Sequence, residues 1–197
     1  MALKKGDATR ARILGEAARQ AAVKGFGAVS LNDVAEAVGL SKSGLFKHFE
    51  SKESMELAAL QVELERFVAY VWTPAEALPP GRPRLEAIFD RWMDWTEVEN
   101  PAGGCLILAA STELDDQPGP LRDLLLAQQR RWGKTLAKEF RALREPPVPD
   151  EEAASAAFQM KSFILGHNEM RRLMEDEGAR RAARGAFEAL LDRTARG

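Results

Sequence analysis

Three serines, three lysines and a histidine fall between Ser41 and Lys52: Ser41, Lys42, Ser43, Lys47, His48, Ser51 and Lys52. Cationic side chains interleaved with hydroxyls offer charge and hydrogen-bond donors to anionic oxygens, and phosphate is the ligand they suit. At the exposed first turn of a helix, Lys42 and Ser43 would add to free backbone N–H groups and the positive end of the helix dipole. Only Lys42, Ser43 and Lys47 are long or polar enough there to reach base edges. Taken one residue at a time, a solvated helix face with ordinary lysines would look the same.

Two short helices meeting at a glycine must present these residues. Ser30 is a good N-cap, and Asp33 sits at the capping-box spacing. Val34, Ala35 and Val38 give the first helix an apolar face. Gly39 ends it, because glycine tolerates a left-handed backbone. Ser41 then caps a second helix that buries Leu45 and Phe49 at i, i+4 and turns Lys42, Ser43, Lys47 and His48 outward. Residues 30–49 therefore read as a helix-turn-helix, the second helix of which enters the DNA major groove. A preceding helix over 8–24, with Ile13, Leu14, Ala17, Ala18, Ala21 and Ala22 on one stripe, completes a three-helix unit. Its expected core is Leu14, Ala18, Phe26, Val34, Val38, Leu45 and Phe49.

The wider constellation runs from Lys24-Gly25-Phe26 through Val29-Ser30-Leu31-Asn32-Asp33-Val34-Ala35 and Val38 to Phe49, then Ser51-Lys52-Glu53. Over about residues 9–57 it closely resembles the DNA-binding domain of the TetR family of bacterial transcriptional repressors. The resemblance implies a homodimer that binds a double-stranded, pseudo-palindromic operator and releases it when a small molecule enters the C-terminal body. By the same resemblance, Ser30 sits where a hydroxyl meets phosphate. Lys42, Ser43 and Gly44, behind Ser41, open the helix that reaches bases and phosphates. Lys47 and His48 match backbone contacts, and Lys52 matches a phosphate-contacting lysine. Phe46 departs from the pattern: the family commonly has a tyrosine whose hydroxyl reaches phosphate. Phenylalanine leaves an apolar contact with sugar or a thymine methyl.

Beyond the head, a helix from about Ser51 to Trp72 is expected, with Leu57, Leu60, Leu64, Val68 and Val71 on one face. A break follows over Thr73–Arg84, where Pro74, Pro79, Pro80, Gly81 and Pro83 cluster. Helices over 85–98, 105–114, 121–144, 150–175 and 179–196 complete an all-α chain of about nine helices. The expected domains are 1–53, the DNA-binding head, and 54–197, a helical effector-binding and dimerisation body. Phe89, Trp92, Trp95, Leu106, Trp132, Phe158, Phe163 and His167 are candidates for lining an effector cavity. Aromatic stripes at helical spacing are equally the mark of ordinary core. Ala153, Ala157, Met160 and Ile164, and then Ala179, Ala183, Ala186 and Leu190, form small-residue stripes. They suit a four-helix dimer interface through residues 150–196, or a cover for the body's own core.

Composition sets bounds. Ala and Leu number 55 against 19 for Val, Ile and Thr together, which favours helix over strand. The first 54 residues carry nine basic and six acidic side chains although the whole chain is at −2, a basic head on an acidic body. No apolar run approaches the roughly 18 residues of a membrane span. The first residues lack the apolar core of a signal peptide, so a cytoplasmic protein is expected. Cys105 and His167 pair a nucleophile type with a base type, but no glycine elbow, oxyanion motif or third member accompanies them. An enzyme is therefore not expected, nor any cofactor or metal. The lone thiol of Cys105 reads as a small buried hydrophobe.

Overall fold

The computed structural model describes residues 5–99 and 103–196. Every regular element among them is helical: α1 (Lys5–Lys24), α2 (Leu31–Ala37), α3 (Lys42–Phe46), α4 (Lys52–Phe67), α5 (Thr73–Glu76), α6 (Arg82–Asp94), α7 (Leu106–Glu113), α8 (Pro120–Arg141), α9 (Asp150–Arg172) and α10 (Ala179–Arg196). A π-helical turn over Val68–Trp72 joins α4 to α5 without a break, and another, Trp95–Glu99, extends α6. The ten α segments thus make nine rods. No helix among the described residues is long and apolar enough to cross a membrane.

The chain divides into two compact units. One holds residues 5–66 and 103–126, the other 67–99 and 127–196. The boundary expected after residue 53 therefore falls inside the first unit, and α7 folds with the helix-turn-helix rather than with the body. Asn100, Pro101 and Ala102 of the expected turn before α7 lie outside the described residues.

In the first unit, the head closes around the core that the periodicity marks. Leu14, Ala18, Phe26, Val34, Val38, Leu45 and Phe49 are all buried, joined by Ile13, Ala17, Ala21 and Val29. Ser30 caps α2 by accepting the Asp33 N–H at 3.0 Å, and Ser41 caps α3 by accepting the Gly44 N–H at 3.1 Å. Gly39, at φ +69°, supplies the left-handed residue between them. At the start of α4, Ser51 and Ser54 cap reciprocally: each side chain accepts the other's backbone N–H, at 3.0 and 3.1 Å.

The expected break at Thr73 does not occur there. The Thr73 N–H bonds to Val68 O, five residues back, in the wide π register. Pro74, which has no N–H to donate, follows directly in α5, after the wide turn rather than within the regular α4. The chain turns instead after Glu76.

In the second unit, α6 carries Asp90, Asp94 and Glu97 at i, i+4, i+7, and α10 answers in antiparallel order. Arg184 pairs with Asp90, and Arg180 bridges Asp94 and Glu97 at 2.8 Å each. Beneath that ladder Phe89 stacks on Phe187, with ring centroids 4.1 Å apart and planes 8° from parallel. Of the stripes expected as an interface, Ala153, Ala157, Met160 and Ile164 on α9 and Ala179, Ala183 and Leu190 on α10 are buried within this unit's own core, and Ala186 is half-buried. One residue is about 100° of helix, so the exposed face of α9 is the neighbouring stripe. That stripe runs Ala154, Phe158, Leu165, with Phe158 71 % exposed.

Candidate nucleic-acid interface

The α3 face is built as the spacing requires. Leu45 and Phe49 hold it on the core, and the turn after Phe46 keeps Phe49 inward through a bond from its N–H to Leu45 O. Ser41, Lys42, Ser43, Phe46 and Lys47 are exposed, His48 is half-buried, and Ser30 is half-buried at the foot of α2. Phe46 is 43 % exposed although wholly apolar. Lys42 and Lys47 make no ion pair or hydrogen bond among the described residues. Ser41 Oγ lies 3.0 Å from Ser43 Oγ, so the two hydroxyls share one edge of the helix start. Gly44 is what lets that cap sit close, since a Cβ there would lie 3.3 Å from Ser41 Oγ.

Lys52, at the start of α4, is half-buried and bonded within the first unit. Its Nζ donates to Gly27 O at 3.1 Å and pairs with Glu56 Oε1 at 3.3 Å, so its charge is already engaged within the protein.

The sequence reading missed the residues that fix this face. Arg10 donates to His48 O at 2.7 Å, and its guanidinium lies 4.2 Å from the Phe49 ring centroid. Arg12 donates to Val38 O at 2.7 Å, placing a cation at the C-terminal end of α2. Lys24 pairs with Asp33 at 2.8 Å, and that bond, helped by Ser30, holds the Asp33 carboxyl below its ordinary value. Arginines on the polar side of α1 were the available signal, but their acceptors are backbone carbonyls 26 and 38 residues away.

Of the eight residues proposed for an effector cavity, Trp92, Trp95 and Trp132 meet around Phe67, with ring centroids 5.5, 5.7 and 5.4 Å from it in edge-to-face contact. Phe89 lies in the same unit's core, and His167 is buried with its Nε2 2.8 Å from Glu97 Oε1. Phe163 is half-buried. Phe158 stands on the exposed face of α9, so it lines no interior of this unit. Leu106 is buried in the first unit. Cys105 is buried in the first unit and His167 in the second. Among the described residues no group of His, Cys, Asp or Glu could hold a metal ion.

Glu97 carries a pH-dependent part of the second unit's stability. Burial pushes its carboxyl up, but hydrogen bonds from Arg180 and His167 and the Arg180 charge outweigh it, so it sits below its ordinary value of 4.5. A lowered folded-state value means the contribution is complete above the unfolded value and disappears as pH falls through the folded one. Urea midpoints measured from pH 6 to pH 3 should therefore fall more steeply in the parent than in Glu97→Gln. Parallel curves would show that the carboxylate is not held.

Two family models cover most of the chain. The model described as bacterial regulatory proteins, tetR family, matches residues 13–59, and the tetracyclin repressor-like C-terminal domain matches residues 81–187. The HTH-type transcriptional activator FasR of Mycolicibacterium smegmatis is 30% identical over 94 residues, 48% of this chain and 43% of that protein. The chain thus spans less than half the length of that curated relative. Among solved structures, SCO4454, a TetR-family transcriptional regulator from Streptomyces coelicolor, superposes with a TM-score of 0.83 at 20% identity, covering 96% of this chain and 97% of that one. AibR, in complex with isovaleryl coenzyme A and operator DNA, superposes with a TM-score of 0.74 at 19% identity, covering 93% and 98%. Both share the fold. With family models matching both the head and the body, the chain belongs to the TetR family of bacterial regulatory proteins.

Proposed function

We propose that the protein is a ligand-responsive repressor that binds a pseudo-palindromic operator as a homodimer in the cytoplasm. The observation that carries the DNA reading is the α3 face, where Lys42 and Lys47 are exposed and unpaired beside Ser41, Ser43 and a solvent-facing Phe46. Unpaired cations there are free to displace counterions from phosphates, and the helix start can enter a major groove. Ser30, Gly44 and His48 complete the contact surface. Lys52, part-exposed at the start of α4, supports it by holding the Gly27 carbonyl.

The dimer would form on the outer stripe of α9, Ala154, Phe158 and Leu165, with Ala182, Gly185 and Ala189 of α10, all exposed. Small residues let helices approach closely, and Phe158 supplies the apolar area. The effector would enter the aromatic part of the second unit. There the Trp92 and Trp132 indole N–H groups and His167 Nδ1 are buried without a protein partner. Buried polar atoms of this kind suit a small molecule with oxygen or nitrogen groups placed among apolar ones. AibR, which shares the fold, was seen with a coenzyme A thioester and operator DNA together. Effector binding lowers operator affinity only if it favours the DNA-free state.

An activator is the second reading, since the relative FasR is named one. Electrophoretic shift and in vitro transcription on the DNA flanking the protein's own gene test both. A specific shift with reduced transcript supports repression, and a shift with increased transcript supports activation. Failure to shift that DNA, or any sequence selected from a random pool, at moderate salt would sink the DNA reading.

A further inference from the structure

The last residue of α7 reaches back across the first unit to the loop between α1 and α2. Glu113 Oε2 accepts the Phe26 N–H and Oε1 accepts the Gly27 N–H, each at 2.8 Å. One carboxylate thus takes two consecutive backbone donors, one per oxygen. Charge-assisted bonds of this type are the strong ones, and they are directional. Gly25 makes room for the carboxylate. It sits at φ +80°, and a Cβ there would lie 3.0 Å from the Glu113 carboxylate atoms.

Two further contacts fix the same region. At the other end of the α7 segment, Gly103, at φ +77°, lies so close to α1 that a Cβ would be 2.5 Å from the Ala22 carbonyl carbon. On α4, Lys52 Nζ donates to Gly27 O. Gly27 is therefore held by its N–H from α7 and by its C=O from α4. Glu56, which pairs with Lys52, is buried, and that burial raises its carboxyl, with the Glu113 charge adding to the rise.

The loop so held leads directly into the DNA-binding motif. Val29 N–H bonds back to Phe26 O at 3.1 Å and its side chain is buried, and the next residue, Ser30, caps α2. Where Phe26 and Gly27 sit decides where α2 starts, and α2 carries α3.

We propose that Glu113 is a positioning residue for DNA binding: its carboxylate fixes the α1–α2 loop to α7 and so sets the placement of the helix-turn-helix. This rests on the reading of α3 as the DNA-contacting face. Glu113 touches no DNA itself. It acts by removing loop conformations in which the motif is misplaced, so its loss taxes specific binding, which needs one geometry, and spares non-specific phosphate binding, which tolerates many.

The test compares Glu113→Gln and Lys42→Ala with the parent on a duplex selected from random sequence by the parent protein. Gln keeps the size but replaces one acceptor oxygen with an NH2 group that faces an N–H donor. Amide hydrogen exchange at Phe26 and Gly27 should speed up at least about tenfold in Glu113→Gln and stay unchanged in Lys42→Ala. Affinity for the selected duplex should fall about tenfold or more in Glu113→Gln, with non-specific affinity and the thermal midpoint of the second unit within error of the parent. Gly103→Ala, which disturbs the other end of the same docking, should reproduce the specific loss. Unchanged exchange at Phe26 and Gly27 overturns the clamp. Faster exchange with affinity within twofold of the parent overturns the positioning role. If Glu113→Gln loses affinity while Lys42→Ala does not, the positioning role stands and Lys42 is not among the DNA contacts of α3. Recovery of no preferred duplex overturns both.

Discussion

Replacing Lys42 and Lys47 together with alanine is expected to weaken operator binding by at least about tenfold and to flatten its salt dependence. Each phosphate contact contributes about 0.9 to the slope of log affinity against log salt, so losing two should reduce that slope by about 1.8. The magnitude rests on two facts of the folded head. Both side chains are exposed, and neither has a protein partner to compete with a phosphate. Lys52→Ala is the internal comparison. Its ammonium is already bonded to Gly27 O and Glu56, so its removal should change the slope little while loosening the loop. Fluorescence anisotropy of a labelled operator from 50 to 200 mM salt measures all three slopes. A double variant with the parent's slope would show that the α3 lysines face solvent in the complex.

The head was legible because its determinants are local. Ser30, Gly39 and Ser41 act within one turn of themselves, and the Leu14, Val34, Leu45 and Phe49 positions follow helical period. What the chain did not disclose is the set of long-range polar bonds. Glu113 is an ordinary surface-type acid until its partners, 86 and 87 residues away, are known. The partner of Lys52 lies in the α1–α2 loop for the same reason. Backbone packing at Gly103 and the Glu113 bonds join α7 to the first unit, and neither leaves a hydrophobic pattern. Phe158 shows a second limit. The sequence marks one stripe on α9, Ala153–Ala157–Met160–Ile164, and places Phe158 in a cavity; the packed structure puts that stripe inside and leaves Phe158 on the neighbouring exposed one with Ala154 and Leu165. Phe67, the hub of three tryptophan contacts, sits on the same helix as the Leu57–Leu64 face and gave no separate signal.

Phe89→Ala is expected to destabilise the second unit by about 3–5 kcal/mol, the range for emptying a buried aromatic site. Phe89 and Phe187 are both fully buried and stacked in parallel between α6 and α10, so truncating one ring strips a face of the other. The ion pairs above the stack cannot compensate. The Arg180–Asp94 pair is more than a third exposed at both side chains, and Arg184–Asp90 nearly so. Pairs at that exposure are worth about 0–1 kcal/mol each and are screened by salt. The ladder therefore chooses the register of α10 on α6, and the stack supplies the energy. The readout is selective, because all four tryptophans, Trp72, Trp92, Trp95 and Trp132, belong to the second unit. Urea unfolding followed by tryptophan fluorescence should show the full loss in Phe89→Ala. Phe158→Ala, on the exposed face, should move the same transition by under about 0.5 kcal/mol in the monomer. A Phe89→Ala transition within about 1 kcal/mol of the parent would mean that the α6–α10 contact is held by its ion pairs after all, and about 1 M salt should then destabilise parent and variant alike, where the stack predicts a parent nearly unmoved.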